Sequence, residues 1–380
     1  MRCQWNLIMK IAKFIYATGD ECSDLFFASG LHTPDAYIWF EIQDERAVIL
    51  SALEYGRGLK ECREGVAVYP LEEFFDKGKI SPVEEVMCKM ASRFEIEQFS
   101  VPYDFPLGLA EKARNSGLII VPSEGVFFPE REFKQEDEIR KITEAMQITE
   151  DAMQTAIRMI ADSSVDKSGQ LVLNGKVLCS EDVRTEIEVR IMRNRGVATD
   201  TIVACGPQGA DPHCCGYGPL HAGKPIIIDI FPRVAATGYY GDLTRTVVKG
   251  KAPSLVLKAY EAVKNVRDQA KSELKVGVIP ADIHKKTLKR LSAYGFDTGK
   301  NEQGNYGFFH SLGHGLGLDV HEAPRLSPAN TQPLQGGEVV TVEPGIYYPE
   351  WGGIRLEDVV WIRPDSCKCL TLIDSILEID

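Results

Sequence analysis

The sequence predicts an α+β protein of two domains, and three observations support this class. Long amphipathic helix patterns occur together with short apolar runs bounded by glycine or proline, which is typical of helices packed on a sheet. The chain has 380 residues, whereas a single hydrophobic core stops growing at roughly 250 to 300 residues. Residues 122–132 are rich in proline, glycine and acidic side chains, which marks a boundary. We therefore expect domains at residues 1–130 and 131–380.

The first domain is predicted to be a small α/β domain. Two apolar, β-branched runs, Ala36–Ile42 and Ala47–Ala52, flank the turn-like segment Gln43–Arg46 and predict a β-hairpin. Further on, a helical pattern at Val83–Phe94 precedes a strand-like run at Ile96–Val101. Alternation of this kind indicates helices packed on a small sheet.

The second domain is predicted to carry long helices on a sheet. Apolar residues recur at intervals of three and four from Glu136 to Ile160, which indicates one face of a long amphipathic helix. Two further segments, Glu181–Asn194 and Ser254–Leu274, share this pattern. Four short apolar runs are the predicted strands: Ile226–Ile230, Leu243–Val248, Val339–Glu343 and Asp358–Ile362.

Composition and charge argue against several function classes. A formal net charge of -12 disfavours DNA or RNA as a partner, because nucleic-acid binding depends on a basic surface. Lys10 and Lys13 interrupt the apolar N-terminal segment before a signal-like stretch forms, and no run reaches the roughly 20 apolar residues of a membrane span. The ten cysteines lack regular spacing, so we expect reduced thiols in a cytoplasmic protein.

Five side chains that can bind metals recur in apolar, strand-like contexts, in the order Asp229, Asp242, His314, Glu343 and Glu357. An unpaired charge in such a context is costly. Four buried carboxylates also repel one another unless cations neutralise them, and two divalent metal ions supply four positive charges. The order therefore predicts a dinuclear metal site.

The two aspartates are expected to lie on neighbouring strands. If residues 233–240 form the connection, the strands can pair and hold Asp229 and Asp242 on one face. Taken alone, either aspartate would be a turn cap or the ion-pair partner of a residue such as Arg245. The joint pattern favours the metal site.

Histidines and glutamates strengthen that interpretation. His310, His314 and His321 lie within twelve residues of a chain that has only seven histidines. A single histidine is more often an ordinary core or surface residue, but glycines surround these three and allow ligands to approach closely. Glu343 and Glu357 add carboxylates in strand-like segments.

With these motifs the chain resembles the metallopeptidase family of methionine aminopeptidase, aminopeptidase P and prolidase, which has the "pita-bread" fold. The matching motifs extend from Cys205 to Asp358, and the helical segment from Glu136 also fits. The N-terminal third is similar in character to the smaller α/β domain of prolidase, aminopeptidase P and creatinase, which methionine aminopeptidases lack. The resemblance therefore implies a pita-bread catalytic domain after a creatinase-like α/β domain, nearest the Xaa-Pro dipeptidase and aminopeptidase P branch.

The resemblance also implies a role for each metal-binding residue. Asp229 would bind one metal through both carboxylate oxygens, while Asp242 and Glu357 would bridge the two metals. His314 and Glu343 would complete the second metal. Carboxylate oxygens with one imidazole suit Mn²⁺ best, with Co²⁺, Zn²⁺ or Fe²⁺ as alternatives.

Other matching residues would serve the substrate. His213 matches a histidine that contacts substrate and moves protons, and His321 matches one near the scissile carbonyl. His310 would line the site, and Arg355 resembles an arginine beside the bridging glutamate. Glu343 would take a proton from the attacking water and pass it toward the leaving nitrogen.

The implied function is hydrolysis of the bond between an N-terminal residue and proline. Two metals about 3.5 to 4 Å apart lower the pKa of a bridging water and hold the hydroxide against a carbonyl carbon. The leaving nitrogen of an Xaa-Pro bond carries no N–H, so the site must recognise the shape of the ring. The resemblance further implies peptide substrates with proline in second position and a homodimer.

Several alternatives stay open at this stage. A dipeptidase and an aminopeptidase P would share these residues. Creatinase-like C–N hydrolysis without metal, or a non-catalytic binding module on the same fold, would not need all five ligands, and all five are present. The connection that contains Phe231-Pro232-Arg233 is about two residues longer than is usual in the family, which leaves fine substrate preference open.

Overall fold

The computed structural model describes residues 9–75, 81–198, 200–302 and 304–380. The chain divides into two compact units between Pro129 and Glu130. Each unit has buried apolar clusters of its own. Among the described helices, none is both long and apolar enough to cross a membrane.

The first unit is a mixed sheet with helices. In chain order its elements are β1 Ile11–Thr18, α1 Ser23–Ser29, β2 Ala36–Ile42, β3 Glu45–Leu50, α2 Ala52–Glu61, β4 Val66–Pro70, α3 Val83–Phe94, β5 Gln98–Val101, α4 Leu107–Asn115 and β6 Ile120–Pro122. The strand order is β4-β3-β2-β1-β5-β6. The central strands β1, β2 and β3 pair antiparallel, and the outer pairs are parallel.

Alternation along β2 explains why helices cover both faces of this sheet. Ile38 and Phe40 belong to one buried cluster with Met87 of α3, whereas Trp39 belongs to another with Leu25 of α1. The predicted hairpin is confirmed by β2 and β3. Its second strand ends at Leu50, however, and Ala52 begins a helix.

The second unit holds the longer helices and the remaining strands. Its elements are α5 Glu136–Ala161, β7 Ser164–Val165, β8 Leu171–Leu173, β9 Lys176–Val177, α6 Ser180–Arg193, β10 Gly196–Val197, β11 Ile202–Cys205, β12 Ile226–Ile230, β13 Arg233–Val234, β14 Leu243–Lys249, α7 Ser254–Glu273, α8 Pro280–Ala293, β15 Gly299–Asn301, β16 Gly304–Tyr306, β17 Gly313–Gly315, β18 Glu322–Leu326, β19 Val339–Val342, β20 Gly345–Tyr348, β21 Gly352–Arg355, β22 Asp358–Ile362, β23 Cys367–Cys369 and β24 Glu378–Ile379. The three predicted helices are confirmed, with ends within one residue of the predicted bounds.

Two sheets in this unit each pack against a pair of helices. One sheet has the order β11-β12-β14-β24 and shares a buried cluster with α5 and α6. The other has the order β18-β17-β19-β22-β23 and shares a buried cluster with α7 and α8. The faces that the helices leave uncovered carry the polar residues of the candidate site.

Candidate metal centre

A cavity of about 840 Å³ lies in the second unit, and every residue of the predicted site lines it. The five predicted metal ligands are Asp229, Asp242, His314, Glu343 and Glu357. The four other predicted site residues are His213, His310, His321 and Arg355. The structure therefore brings together all the residues that the sequence singled out.

The pairing of β12 with β14 places the two aspartates. The strands are antiparallel, with Asp229 opposite Thr244. Directly opposite residues share a face of the sheet, and Asp242, two positions before Thr244, lies on that face as well. The intervening residue Leu243 points the other way, into the apolar cluster under α5 and α6. The alternation of apolar and polar residues thus directs both carboxylates toward the cavity.

The second sheet supplies the other three predicted ligands. His314 is the middle residue of β17, which pairs with β19. Glu343 directly follows β19, and Glu357 directly precedes β22. These strands pair antiparallel with Val342 opposite Asp358, so both glutamates lie at the same end of the pair.

The predicted ligands form one connected group. Ligand atoms of Asp242, His314 and Glu357 all lie within 4.8 Å of one another, and all three residues are buried. His314 Nε2 is 3.3 Å from Glu343 Oε1. The Thr244 hydroxyl lies 2.8 Å from Asp229 Oδ1 and 2.9 Å from Glu357 Oε2, so it bridges the remaining carboxylate to the group.

The electrostatics of this group indicate a missing positive charge. Burial, and then the negative charge of Asp229, raise the pKa of Asp242 well above its usual range. Burial and the charges of Asp242 and Glu343 do the same to the pKa of Glu357. These carboxyls are costly to ionise together, and divalent cations would remove that cost. The donor set therefore fits divalent metal ions.

His314 has the geometry of a metal ligand. Its Nδ1 is 3.1 Å from the Gly315 carbonyl oxygen and donates a hydrogen bond to it, which leaves Nε2 facing the carboxylates. A histidine whose other nitrogen donates to a carbonyl is the usual arrangement at metal sites. Burial lowers the pKa of His314, but Glu343 and Asp242 outweigh burial and raise it to about 9.

A chain of hydrogen bonds links Asp229 to His310. Arg355 donates to Asp229 Oδ2 over 2.6 Å and to the Tyr347 hydroxyl oxygen over 2.9 Å. The Tyr347 hydroxyl in turn lies 3.1 Å from His310 Nε2. His310 Nδ1 donates to the Ser311 carbonyl over 2.7 Å, so Nε2 is the acceptor of a neutral ring. Burial lowers the pKa of His310 and raises that of Tyr347 to about 12, which keeps both groups neutral.

Thr244 and Tyr347 are members of the site that sequence reasoning missed. A faint signal exists for Thr244, because it stands two positions after Asp242 and alternation places both on one face. Tyr347 follows Glu343 across a turn into β20, and nothing in the local sequence indicates that its hydroxyl meets Arg355.

Two of the predicted catalytic histidines are accessible from the cavity. His213 is exposed, and its backbone N–H donates to Asp211 Oδ1 over 3.0 Å. The ring of His321 stands edge-on to that of His314, with centroids 4.4 Å apart. Burial and the positive charge of His314 lower the pKa of His321, which favours its neutral form.

A network behind the site holds Glu357 in place. Its neighbour Asp358 is buried on the opposite side of the chain. The Asp358 carboxylate forms ion pairs with Arg245 at 2.9 Å, with Arg267 at 3.3 Å, and with Lys271. Arg245 also donates to the backbone carbonyl of Glu357. A second hydrogen bond, from the Glu357 N–H to the Thr244 carbonyl over 3.1 Å, joins the two sheets at this point.

Buried carboxylates around one imidazole, beside neutral histidines and an open cavity, define a metal-dependent hydrolase. The chain belongs to metallopeptidase family M24, whose family model matches residues 140–364. Thus the family and the class of enzyme expected from the sequence are confirmed.

Individual relatives agree with this assignment. An Xaa-Pro dipeptidase of Pyrococcus horikoshii is 32% identical over 276 residues, which are 72% of this chain and 71% of the relative. An Xaa-Pro dipeptidase of Pyrococcus furiosus is 32% identical over 245 residues, 63% of each chain. The matched segment thus spans less than two thirds of that second relative.

Solved structures confirm the predicted fold over nearly the whole chain. The prolidase from Pyrococcus furiosus superposes with a TM-score of 0.77 at 25% identity and 97% coverage of both chains. An X-Pro aminopeptidase from Thermotoga maritima gives a TM-score of 0.81 at 23% identity and 98% coverage of both chains, which shows the shared fold alone. The fold is therefore a pita-bread unit preceded by a smaller α/β unit.

Proposed function

We propose that this protein is a metal-dependent exopeptidase that hydrolyses the bond between an N-terminal residue and proline. The observation that carries the proposal is the convergence of Asp229, Asp242, His314, Glu343 and Glu357 in one cavity, where burial and neighbouring carboxylates raise the pKa values of Asp242 and Glu357. Similarity to two Xaa-Pro dipeptidases supports the proline-directed specificity. A creatinase-like, metal-free mechanism is disfavoured, because it gives no role to the three buried carboxylates and the half-buried Glu343.

We assign the metal ligands as the sequence predicted. Asp229, Asp242, His314, Glu343 and Glu357 would together hold two divalent cations. When bound, the cations supply Lewis-acid chemistry, which acidifies water and polarises the scissile carbonyl. The oxygen-rich donor set favours Mn²⁺.

The chain's own residues move the protons. His314 and the surrounding charges lower the pKa of Glu343 to about 2 despite burial, so Glu343 is ionised and able to accept a proton from the attacking water. That proton then passes to the leaving proline nitrogen, which has none of its own. His213 and His321 each offer an N–H to the oxygen of the carbonyl under attack, where negative charge develops.

Apolar side chains in the cavity suit a proline ring. Phe231, Phe309 and Val320 line the same cavity as the predicted ligands. A ring without an N–H is recognised by shape, and apolar walls also exclude water from the reacting bond. Phe231 belongs to the connection that is longer than usual, so it is a candidate for the substrate preference of this chain.

Arg325 favours dipeptides as substrates. It is exposed, it lines the cavity with His321, and the described residues include no carboxylate paired with it. A free guanidinium matches the two oxygens of a carboxylate, and the proline of an Xaa-Pro dipeptide ends in a free carboxylate within the site. We therefore propose an Xaa-Pro dipeptidase rather than an aminopeptidase P.

The test is release of alanine from Ala-Pro and from Ala-Pro-Pro, with added Mn²⁺ and with a chelator. We expect chelator-sensitive cleavage that is faster for Ala-Pro. Cleavage of Ala-Pro-Pro at an equal or higher rate would favour the aminopeptidase P activity. No cleavage of either peptide by protein with two bound metals would refute the proline specificity.

The homodimer and the cytoplasmic location are also part of the proposal, and both rest on the sequence analysis alone. Light scattering on the purified protein tests the first. Fractionation of the source cells tests the second.

A further inference from the structure

A buried group of charged side chains adjoins the loop that carries His321. We call it the Glu322 cluster, and its members are Arg131, Lys134, Asp319 and Glu322. Lys134 Nζ donates to Glu322 Oε2 over 2.7 Å, and Arg131 donates to Glu322 Oε1. Arg131 also donates to Asp319 Oδ2 over 2.9 Å. Two cations thus meet two carboxylates.

The centre of the cluster is closed to water. The side-chain exposure is 2% for Lys134, 7% for Glu322 and 11% for Arg131. Burial raises the pKa of Glu322, but the charges of Lys134 and Arg131 outweigh burial and lower it. Removing one member of such a group leaves an uncompensated charge, so its geometry is strongly held.

The loop backbone folds around the Glu322 carboxylate. The Asp319 N–H donates to Glu322 Oε1 over 3.0 Å, and the Gly317 N–H donates to the Asp319 carbonyl over 3.1 Å. A Cβ atom at Gly317 would lie 2.7 Å from Glu322 Oε2, so a larger residue at 317 would push the carboxylate out of its present position. The carboxylate therefore fixes the loop from 317 to 322 as well as its own side chain.

The position of Glu322 determines where His321 points. Glu322 is the first residue of β18, and successive side chains at a strand point to opposite sides. Glu322 points into its cluster, whereas His321 lines the cavity, with its ring 4.4 Å from that of His314. Loss of the Glu322 contacts would release the loop backbone, and His321 would then no longer be held toward the cavity.

We infer that Glu322, held by Arg131 and Lys134, is a positioning residue that sets the orientation of the His321 imidazole. The inference deepens the proposed function and rests on it for its kinetic consequences. None of the four cluster members is among the residues that line the cavity, so we expect the cluster to act through His321.

A double-mutant cycle tests the inference. Glu322→Gln keeps the shape and removes the charge, and we expect kcat on Ala-Pro to fall about tenfold through misplacement of His321, with KM and metal content nearly unchanged. In a His321→Ala background, Glu322→Gln should cause no further loss. An equal tenfold loss in both backgrounds would overturn the inference, because general damage does not depend on His321.

A matched control separates positioning from loss of a buried charge. Glu150 is another buried glutamate, and its carboxylate accepts the Leu372 N–H outside the site. Glu150→Gln should leave kcat within about twofold of the wild-type value, as expected for independent sites. If Glu322→Gln does not fold, Asp319→Asn takes its place in the cycle, since the Asp319 side chain is 50% exposed and its replacement disturbs the fold less.

A spectroscopic measurement tests the inference without catalysis. In metal-free protein, the side-chain NMR signal of His321 is identified by its loss in His321→Ala. Glu322→Gln should shift this signal more than that of His284, a buried histidine that contacts the His310 carbonyl. An unmoved His321 signal would refute the positioning role. Wild-type protein that cleaves no Xaa-Pro peptide would instead refute the proposed function and leave this spectroscopic result valid.

Discussion

Glu357 and Asp358 are neighbours in sequence and equally buried, yet their surroundings shift their pKa values in opposite directions. Glu357 faces other carboxylates, and its pKa is raised. Asp358 faces Arg267, Arg245 and Lys271, and its pKa is lowered despite burial. Burial alone therefore does not distinguish a structural charge from a functional one. The number of positively charged side chains near the carboxylate distinguishes the two cases. Glu357, which has other carboxylates as its neighbours, belongs to the site that fits metal ions.

Removal of a carboxylate from the candidate metal site should have the largest effect on activity. Asp242→Asn should reduce turnover of Ala-Pro to background and lower the metal content, because one of the proposed metal ligands is lost. The metal-free variant should be at least as stable as metal-free wild type, since one repelling carboxylate is gone. Elemental analysis and urea unfolding check both points. Full activity in this variant would defeat the ligand assignment.

Removal of the ion-paired carboxylate of Asp358 should affect the stability of the protein instead. Asp358→Asn leaves three cations without their shared partner, and we expect a loss of about 3–5 kcal/mol in the free energy of unfolding. Urea unfolding of the metal-free protein measures it. Asp268→Asn is the control, because the side chain of Asp268 is 47% exposed. Equal losses of unfolding free energy in the two variants would show that Asp358 contributes no more to stability than the half-exposed Asp268 does.

A residue on the cavity side that is not a predicted ligand should have an intermediate effect. His213→Ala should lower kcat by on the order of 10²-fold, the usual contribution of a proton-handling residue. Its metal content should match that of the wild type. A loss of metal together with activity would place His213 among the ligands instead.

The smallest effect concerns the pH dependence of a satisfied carboxylate. The folded-state pKa of Glu322 is lowered, so its contribution to stability is present above the unfolded value of about 4.3 and is lost as pH falls through the folded pKa. The difference in unfolding free energy between wild type and Glu322→Gln should therefore shrink as the pH falls below about 4.3. A difference that grows on acidification would contradict this sign.

The sequence was sufficient to predict the helices and to single out the candidate ligands that the structure brings together, because both depend on local pattern. Apolar spacing defines α5, and carboxylates within isoleucine- or valine-rich runs stand out without any knowledge of pairing. The resemblance to a family then supplied His213 and Arg355, which have no distinctive local context.

Contacts between distant segments could not be predicted in this way. Arg131 and Lys134 precede Glu322 by almost two hundred positions, and each would pass for an ordinary surface charge in the sequence. The hydroxyl of Tyr347 becomes part of the site only when β20 and β21 pair and bring Arg355 beside it. Such residues depend on tertiary register, which a single sequence does not reveal.

The network behind Glu357 also includes residues that come after every predicted ligand in the sequence. Arg245 donates to the Ile373 carbonyl over 2.7 Å, and Arg267 donates to the Ser375 hydroxyl over 2.7 Å. These hydrogen bonds hold the segment after β23 beside the ion pairs of Asp358, on the side of the chain opposite to the Glu357 carboxylate. A chain that lacks the residues after Cys369 would therefore carry every predicted ligand without the contacts that hold Arg245, and through it Glu357, in place.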